Sequence, residues 1–271
     1  MSLERIIAAT ARPATIDSLV SDFAALGVTA GTVLMVHSSL SSLGYVNGGA
    51  AAVIEALSRA LGPDGTLVMP THSSDLSDPA GWRDPPVPTA WHQTLRDTMP
   101  AYDPATTPTW TMGAIPESFR GHPQVLRSAH PRQSCSARGP MAAPIVEDHA
   151  LDCAMGERSP MGRLYDLDAW ILLLGVTHDC NTSLHLAEHR ARYPLKHDAS
   201  FGSPVTVDGT RRWHIVRDLD ADDSDFARLG DDFEHDTEQA ILGRVAQATA
   251  RLLRMRPLVD YAVTWITRNR L

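Results

Sequence analysis

A histidine and a glutamate three residues apart, His185 and Glu188 in Leu184-His185-Leu186-Ala187-Glu188-His189, are the first chemistry this sequence offers. On a helix that spacing puts both side chains on one face, with Cβ atoms roughly 5–6 Å apart. An imidazole beside a carboxylate is a stronger base held in one orientation, suited to taking a proton. Extended to His189, the stretch also reads His-x-x-Glu-His, the inverted zinc-peptidase pattern with two imidazoles four apart. Hydroxyls gather at Asn181-Thr182-Ser183 and again at Ser38-Ser39-Leu40-Ser41-Ser42, directly after His37. Between Asp218 and Glu238 ten carboxylates stand against a single arginine, Arg228. Such a run is either a solvated face or a negative wall that attracts a cationic ligand. Asp222, Asp223 and Asp225 are its candidate ligand contacts, with Asp75 facing them from a long upstream loop.

The elements that must position these residues can be read from the apolar pattern. Trp170–Val176 is a continuous apolar run, as in a strand buried on both faces. The polar break Asn181-Thr182-Ser183 then supplies a helix start. Strand, loop and helix come in succession, with chemistry expected at the strand's carboxyl end. Upstream, 32–37 reads as a second buried strand entering a Ser/Gly loop, 50–61 as a helix and 66–70 as a third strand, so an α/β sheet begins here. That loop can cradle phosphates through backbone N–H groups. Neither Gly-x-x-x-x-Gly-Lys nor Gly-x-Gly-x-x-Gly occurs, which counts against nucleotide hydrolysis and dinucleotide binding.

Helices are expected over 15–26, 112–120, 141–150 and 160–165, a short strand over 125–128, and a hairpin over 205–216 about Asp208-Gly209. Two further helices, 238–255 and 258–268, are expected to close the chain. The stretch 71–108 carries seven prolines, Trp82, Trp91 and Tyr102 with little periodicity, and reads as a lid or pocket wall. The expected fold is α/β, one domain over 1–271 with a central mixed sheet flanked by helices. Within it the long loop 71–108 and the acidic segment 218–238 shape the site.

Composition narrows the function classes. The 271 residues are 43% hydrophobic and 21% charged, ordinary for a globular protein. No run approaches the ~18–20 apolar residues of a membrane span. The first residues lack the build of a signal peptide, so a cytoplasmic protein with no membrane partner is expected. Cys135, Cys153 and Cys180 are odd in number and scattered, which suggests neither a disulfide framework nor a zinc ribbon. With a net charge of −8 and no basic stripe, nucleic acid is not an expected partner.

Five motifs, taken in order, resemble the aminoglycoside 3-N-acetyltransferase family. They are Val36-His37-Ser38-Ser39-Leu40, Leu61-Gly62-Pro63-Asp64-Gly65-Thr66-Leu67, Tyr102-Asp103-Pro104-Ala105-Thr106, Arg127-Ser128-Ala129-His130-Pro131, and Leu174-Gly175-Val176 through Leu184-His185-Leu186-Ala187-Glu188. The resemblance implies acetyl transfer from acetyl-CoA to the 3-amine of an aminoglycoside, conferring resistance. It also implies a fold distinct from the commoner N-acetyltransferase superfamily, whose Arg/Gln-x-x-Gly-x-Gly/Ala loop is missing here. Carried over by position, His185 and Glu188 match the catalytic pair and Thr182 a hydroxyl near the thioester carbonyl. His37, Ser38, Ser39, Leu40, Met112, Arg127 and Ser128 match coenzyme-binding segments.

The residue chemistry agrees with this reading. An aminoglycoside carries several ammonium groups, which an acidic wall steers and holds. His185 takes the proton of the attacking amine, while Glu188 orients the ring or binds the amine itself. Thr182 and the helix's first N–H groups stabilise the oxyanion. No metal is required, and a monomer or homodimer is expected. Two other readings are a zinc peptidase built on His185 and His189, and a non-catalytic binder of cationic drugs. A Ser hydrolase on Ser38 or Ser39 lacks the Gly-x-Ser-x-Gly elbow.

Overall fold

Leucine, valine, isoleucine and methionine dominate 33–36, 67–69 and 170–174 with no polar residue on either face, the pattern of parallel strands covered on both sides. In the computed structural model, which describes residues 2–271, the chain runs α1 (Leu3–Ala9), α2 (Ile16–Leu26), β1 (Val33–Ser38), α3 (Gly49–Leu61), β2 (Thr66–Pro70), α4 (His92–Thr98), α5 (Ala114–Arg120), β3 (Leu126–Arg127) and β4 (Cys135–Arg138). It continues through α6 (Ala142–Val146), α7 (Pro160–Asp166), β5 (Trp170–Leu174), α8 (Leu184–Arg190), β6 (Asp198–Val207), β7 (Thr210–Leu219), α9 (Phe226–Thr237), β8 (Ile241–Val245), β9 (Ala248–Arg254) and α10 (Met255–Asn269).

Seven strands form one mixed sheet in the order β3-β4-β2-β1-β5-β9-β8, while β6 and β7 pair as a separate ribbon. β1 is parallel to both β2 and β5, and the outer strands join antiparallel. Because successive side chains of a strand point to opposite faces, each central strand feeds two cores. Leu34, Val36, Leu172 and Leu174 pack with α2, α3 and α5, whereas Met35, Ile171 and Leu173 pack with α6 through α10. Leu172 and Leu174 have no exposed surface, as an interior strand requires.

The N-terminal elements follow local signals. Thr15 caps α2 through its side chain, with Ser18 answering in a capping box. The β6–β7 turn has Asp208 and Gly209 at φ of 51° and 73°, the left-handed pair of a two-residue hairpin. The ribbon is longer than its sequence signal, reaching from Asp198 to Leu219.

The expected helix over 238–255 is not formed. α9 ends where it was expected to begin, with Glu238 at φ 53° as the left-handed residue after the last turn. The chain then turns into the β8–β9 hairpin, and β9 pairs along the whole of β5. Ala248, Ala250 and Leu252 are buried and Thr249 is exposed, so the period is 2. Alanine and leucine disguise that alternation because both favour helices, and the open edge of β5 overrides their preference. β4, short and rich in small residues, had no legible strand signal.

Candidate active site

The loops that leave β1, β2 and β5 at their carboxyl ends meet in one cleft of about 610 Å³. β1 contributes His37 through Ser41, β2 contributes Pro70 and His72, and the loop after β5 contributes Asp179 through Thr182 and then His185. This is where an α/β sheet with parallel central strands opens a crevice. Gly175 lets the first and third loops touch: its φ is 70°, and a Cβ there would lie 2.5 Å from that of Ser42. Ser42 donates to the Gly175 carbonyl at 3.0 Å, and Ser39 N–H donates to the Leu174 carbonyl at 2.9 Å.

At the head of α8 His185 and Glu188 meet. The Nδ1 of His185 lies 2.5 Å from Glu188 Oε2, so toward an ionised carboxylate Nδ1 is the donor and Nε2 is the nitrogen not bonded to Glu188. Glu188 is wholly buried. Its other oxygen accepts from the Asp222 N–H at 2.9 Å and from Arg270 at 2.5 Å. Burial alone would raise its pKa; the hydrogen bonds from His185, Arg270 and the Asp222 N–H outweigh it and hold the carboxyl below its usual range. Phe226 packs against the His185 ring, centroids 4.9 Å apart.

Thr182 lines the cleft, 7% exposed. The first N–H groups of α8 are not available beside it. Those of Ser183 and Leu184 go to Asn181, and that of His185 goes to the Thr182 carbonyl. The expected capping triplet thus works through Asn181, whose Oδ1 also accepts from Ser183 Oγ at 2.6 Å. Behind this turn His178, buried, reaches Glu234 at 2.9 Å, and Arg251 reaches the same oxygen at 2.7 Å.

Three buried polar atoms of residues along the cleft have no partner among the described residues: His37 Nε2, Ser38 Oγ and His72 Nε2. Burial pushes the pKa of both histidines down to about 3, helped by neighbouring imidazoles, so both are neutral near pH 7. His72 was missed from sequence. Its signal was position, two residues past the carboxyl end of β2.

The structure brings some expected site residues together and separates others. His37, Ser38, Ser39, Leu40, Met112, Thr182, His185 and Asp223 all line the cleft. Arg127 and Ser128 do not. The guanidinium of Arg127 is spent on the Thr71 and Thr107 carbonyls, Ser73 and Ser134. Ser128 Oγ is buried between His149 and the Cys135 N–H. Arg127 ties down the loop 71–108, and Ser128 meets that loop through its carbonyl, which accepts from the Tyr102 hydroxyl at 2.8 Å. Of that loop only His72 reaches the cleft. Asp75 does not line it, and burial raises the pKa of its carboxyl.

Most of the acidic run is also committed to the fold. Asp225 binds Arg270 with both oxygens, Asp222 caps the Ser224 N–H, and Asp232 accepts from Trp265. Glu188, expected also to hold an ammonium, has neither exposure nor a free oxygen. The carboxylates that line the cleft are Asp223 and Asp179, the latter accepting from Thr177 Oγ1, while Asp218 and Asp220 lie in an adjoining recess of about 110 Å³ that shares Gln133 and Met155 with it. His189 sits in that recess, 3.9 Å from Asp218. Its ring is engaged apart from His185, and among the described residues no three His, Cys, Asp or Glu side chains are grouped to hold a metal.

A mixed α/β sheet that delivers a carboxylate-backed histidine to a cleft at its strand ends is the framework of an α/β enzyme. The chain belongs to the aminoglycoside 3-N-acetyltransferase family, whose profile matches residues 35–267. It is 41% identical over 268 residues to the SPbeta prophage-derived aminoglycoside N(3')-acetyltransferase-like protein YokD of Bacillus subtilis (strain 168), across 98% of this chain and 97% of that protein. The solved structure of YokD matches with a TM-score of 0.95 over 98% of both chains. Aminoglycoside N(3)-acetyltransferase VIII of Streptomyces fradiae is 37% identical, across 98% of this chain and 96% of its own. A solved structure of AAC-IIIb with CoASH, 30% identical, matches with a TM-score of 0.85 over 96% of this chain and 98% of that one. These relationships favour neither the peptidase nor the drug-sequestering reading.

Proposed function

We propose that the protein transfers the acetyl group of acetyl-CoA to the 3-amino group of an aminoglycoside, with His185 as general base. The neutral amine attacks the thioester carbonyl carbon while Nε2 of His185 takes its proton. The tetrahedral oxyanion collapses, the C–S bond breaks, and the departing thiolate receives the proton from the imidazolium. Thr182, with its hydroxyl at the cleft wall, donates to the oxyanion. The pantetheine arm runs along Ser38 and Ser39, between the apolar walls of Leu40, Met112 and Val176; the buried, partnerless His37 Nε2 and Ser38 Oγ beneath it support polar contacts there. CoA in the AAC-IIIb relative supports the donor, and the names of the relatives support the acceptor. Asp223 attracts the cationic drug toward His185.

The observation that carries this reading is the His185–Glu188 contact at 2.5 Å, buried on the carboxylate side and open to the cleft on the imidazole side. The test is thiol release from acetyl-CoA against aminoglycosides with and without a free 3-amine. Release is expected with the first group alone. Equal release with both would sink the regiochemistry, and none with either would sink the activity.

A further inference from the structure

We propose that Arg270, next to last in the chain, is a positioning residue that ties the base to the drug-binding wall. It holds Glu188 behind His185 and, with the same guanidinium, pins the turn that carries Asp223 to the cleft. The inference rests on the reading of His185 as the base. Arg270 lies beyond the last residue of the family match, Arg268 and Asn269 intervening.

The geometry is that of a fork closed on two targets. One terminal nitrogen meets Glu188 Oε1 at 2.5 Å. The other meets Asp225 Oδ1 and the Asp222 carbonyl, each at 2.5 Å, and Nε meets Asp225 Oδ2 at 2.9 Å. The side chain is 10% exposed, and the rings of Tyr193 and Phe226 lie 5.3 and 5.9 Å from its carbon centre. Phe226 is also the ring against His185. Such bidentate binding is a property of arginine that lysine does not reproduce.

The charges around the pair leave this role to Arg270. Among the described residues, His185 and Arg270 are the two side chains bonded to Glu188. His189 and Lys196 sense Glu188 at longer range, the Lys196 ammonium being committed to the His189 and Ala191 carbonyls. His72 faces His185 as a neutral ring, and Asp222 and Tyr193 complete the surroundings. Removing Arg270 leaves the negative charge of Glu188 to His185 alone, which favours the imidazolium. The 222–225 turn loses its anchor at the same time.

The experiment compares Arg270→Gln, Arg270→Lys and His185→Ala with the wild type, reading kcat and drug KM against pH and the titration of the His185 imidazole by NMR. For Arg270→Gln the acidic limb of kcat and the imidazole titration are expected to move to higher pH, with KM raised several-fold. Arg270→Lys keeps the charge, so the limb returns toward wild type while KM stays raised. A merely structural role would lower the folded fraction without moving the limb. A folded Arg270→Gln with wild-type limb and KM overturns the proposal. If Arg270→Gln does not fold, Arg270→Lys decides: raised KM supports the proposal and wild-type kinetics overturn it. Undiminished turnover in His185→Ala would sink the base itself, whereas an inactive His185→Ala beside an unaltered Arg270→Gln sinks only the role of Arg270.

Discussion

Burying the Glu188 carboxylate costs several kcal/mol unless its oxygens are met by donors. Here one meets His185 and the other meets Arg270 and the Asp222 N–H. A carboxylate so held has no oxygen left over for a drug ammonium, which supports the role of fixing the ring in the proposed mechanism. His185→Ala is therefore expected to leave both ligands bound and to lower kcat by about 10²–10⁴-fold; wild-type turnover at saturating substrates would end the mechanism. Glu188→Gln presents an N–H₂ group to Arg270 or to the His185 Nδ1–H, donor against donor. It should slow turnover and lower unfolding stability by about 3–5 kcal/mol, with little change in drug KM. A large KM effect with unaltered kcat would restore Glu188 as an ammonium site. Asp223→Asn should do the reverse, raising drug KM and flattening its salt dependence. A salt response identical to wild type would show that Asp223 only faces solvent.

Between elements, α9 lies closely against the turn that carries the site. Gly230 of α9 sits on the buried ring of His178, and an added Cβ would overlap that ring. Gly230→Ala is expected to push α9 and the 178–180 turn apart and to lower stability by about 1–3 kcal/mol, read as a fall in the urea midpoint. An unchanged midpoint would mean the ring moves freely, contrary to its bond to Glu234. The acidic residues of this helix matter less as a field than as ties, since Asp232, Glu234 and Asp236 each hold a side chain of β9, α10 or the site turn.

For the whole molecule, the buried histidines set the response to acid. His37 and His72 have pKa values depressed to about 3 and His149 to about 4, burial being the main cause in each. They are neutral in the fold and protonate near 6.5 once unfolded. The unfolded state then binds more protons, so this contribution is complete above about pH 6.5 and is lost as pH falls toward the folded values, at about 1.4 kcal/mol per pH unit for each histidine. Glu188 adds a second loss below about 4.5, where its unfolded carboxyl protonates first. Urea unfolding from about pH 7 down to about pH 5 should show a steady decline, and a flat profile would contradict the buried neutral imidazoles.

The sequence by itself determined what depends on neighbours along the chain. The apolar run 170–174, the polar break after it and the spacing of His185 and Glu188 suffice for strand, loop and helix, because periodicity decides which face each side chain takes. The same holds for the 33–70 unit, which places Ser38 and His37 at a strand end. Tertiary structure decided what depends on residues distant in sequence. β9 became a strand because β5 offered an edge, against the helical preference of its own alanines. Packing set Arg127 on the carbonyls and hydroxyls of the long loop and Ser128 Oγ on His149 and the Cys135 N–H, away from the cleft. The second oxygen of Glu188 was committed by Arg270, 82 residues away. Nothing local to either residue encodes that contact; it exists only because α10 packs along α8 and brings the chain's end back to the site.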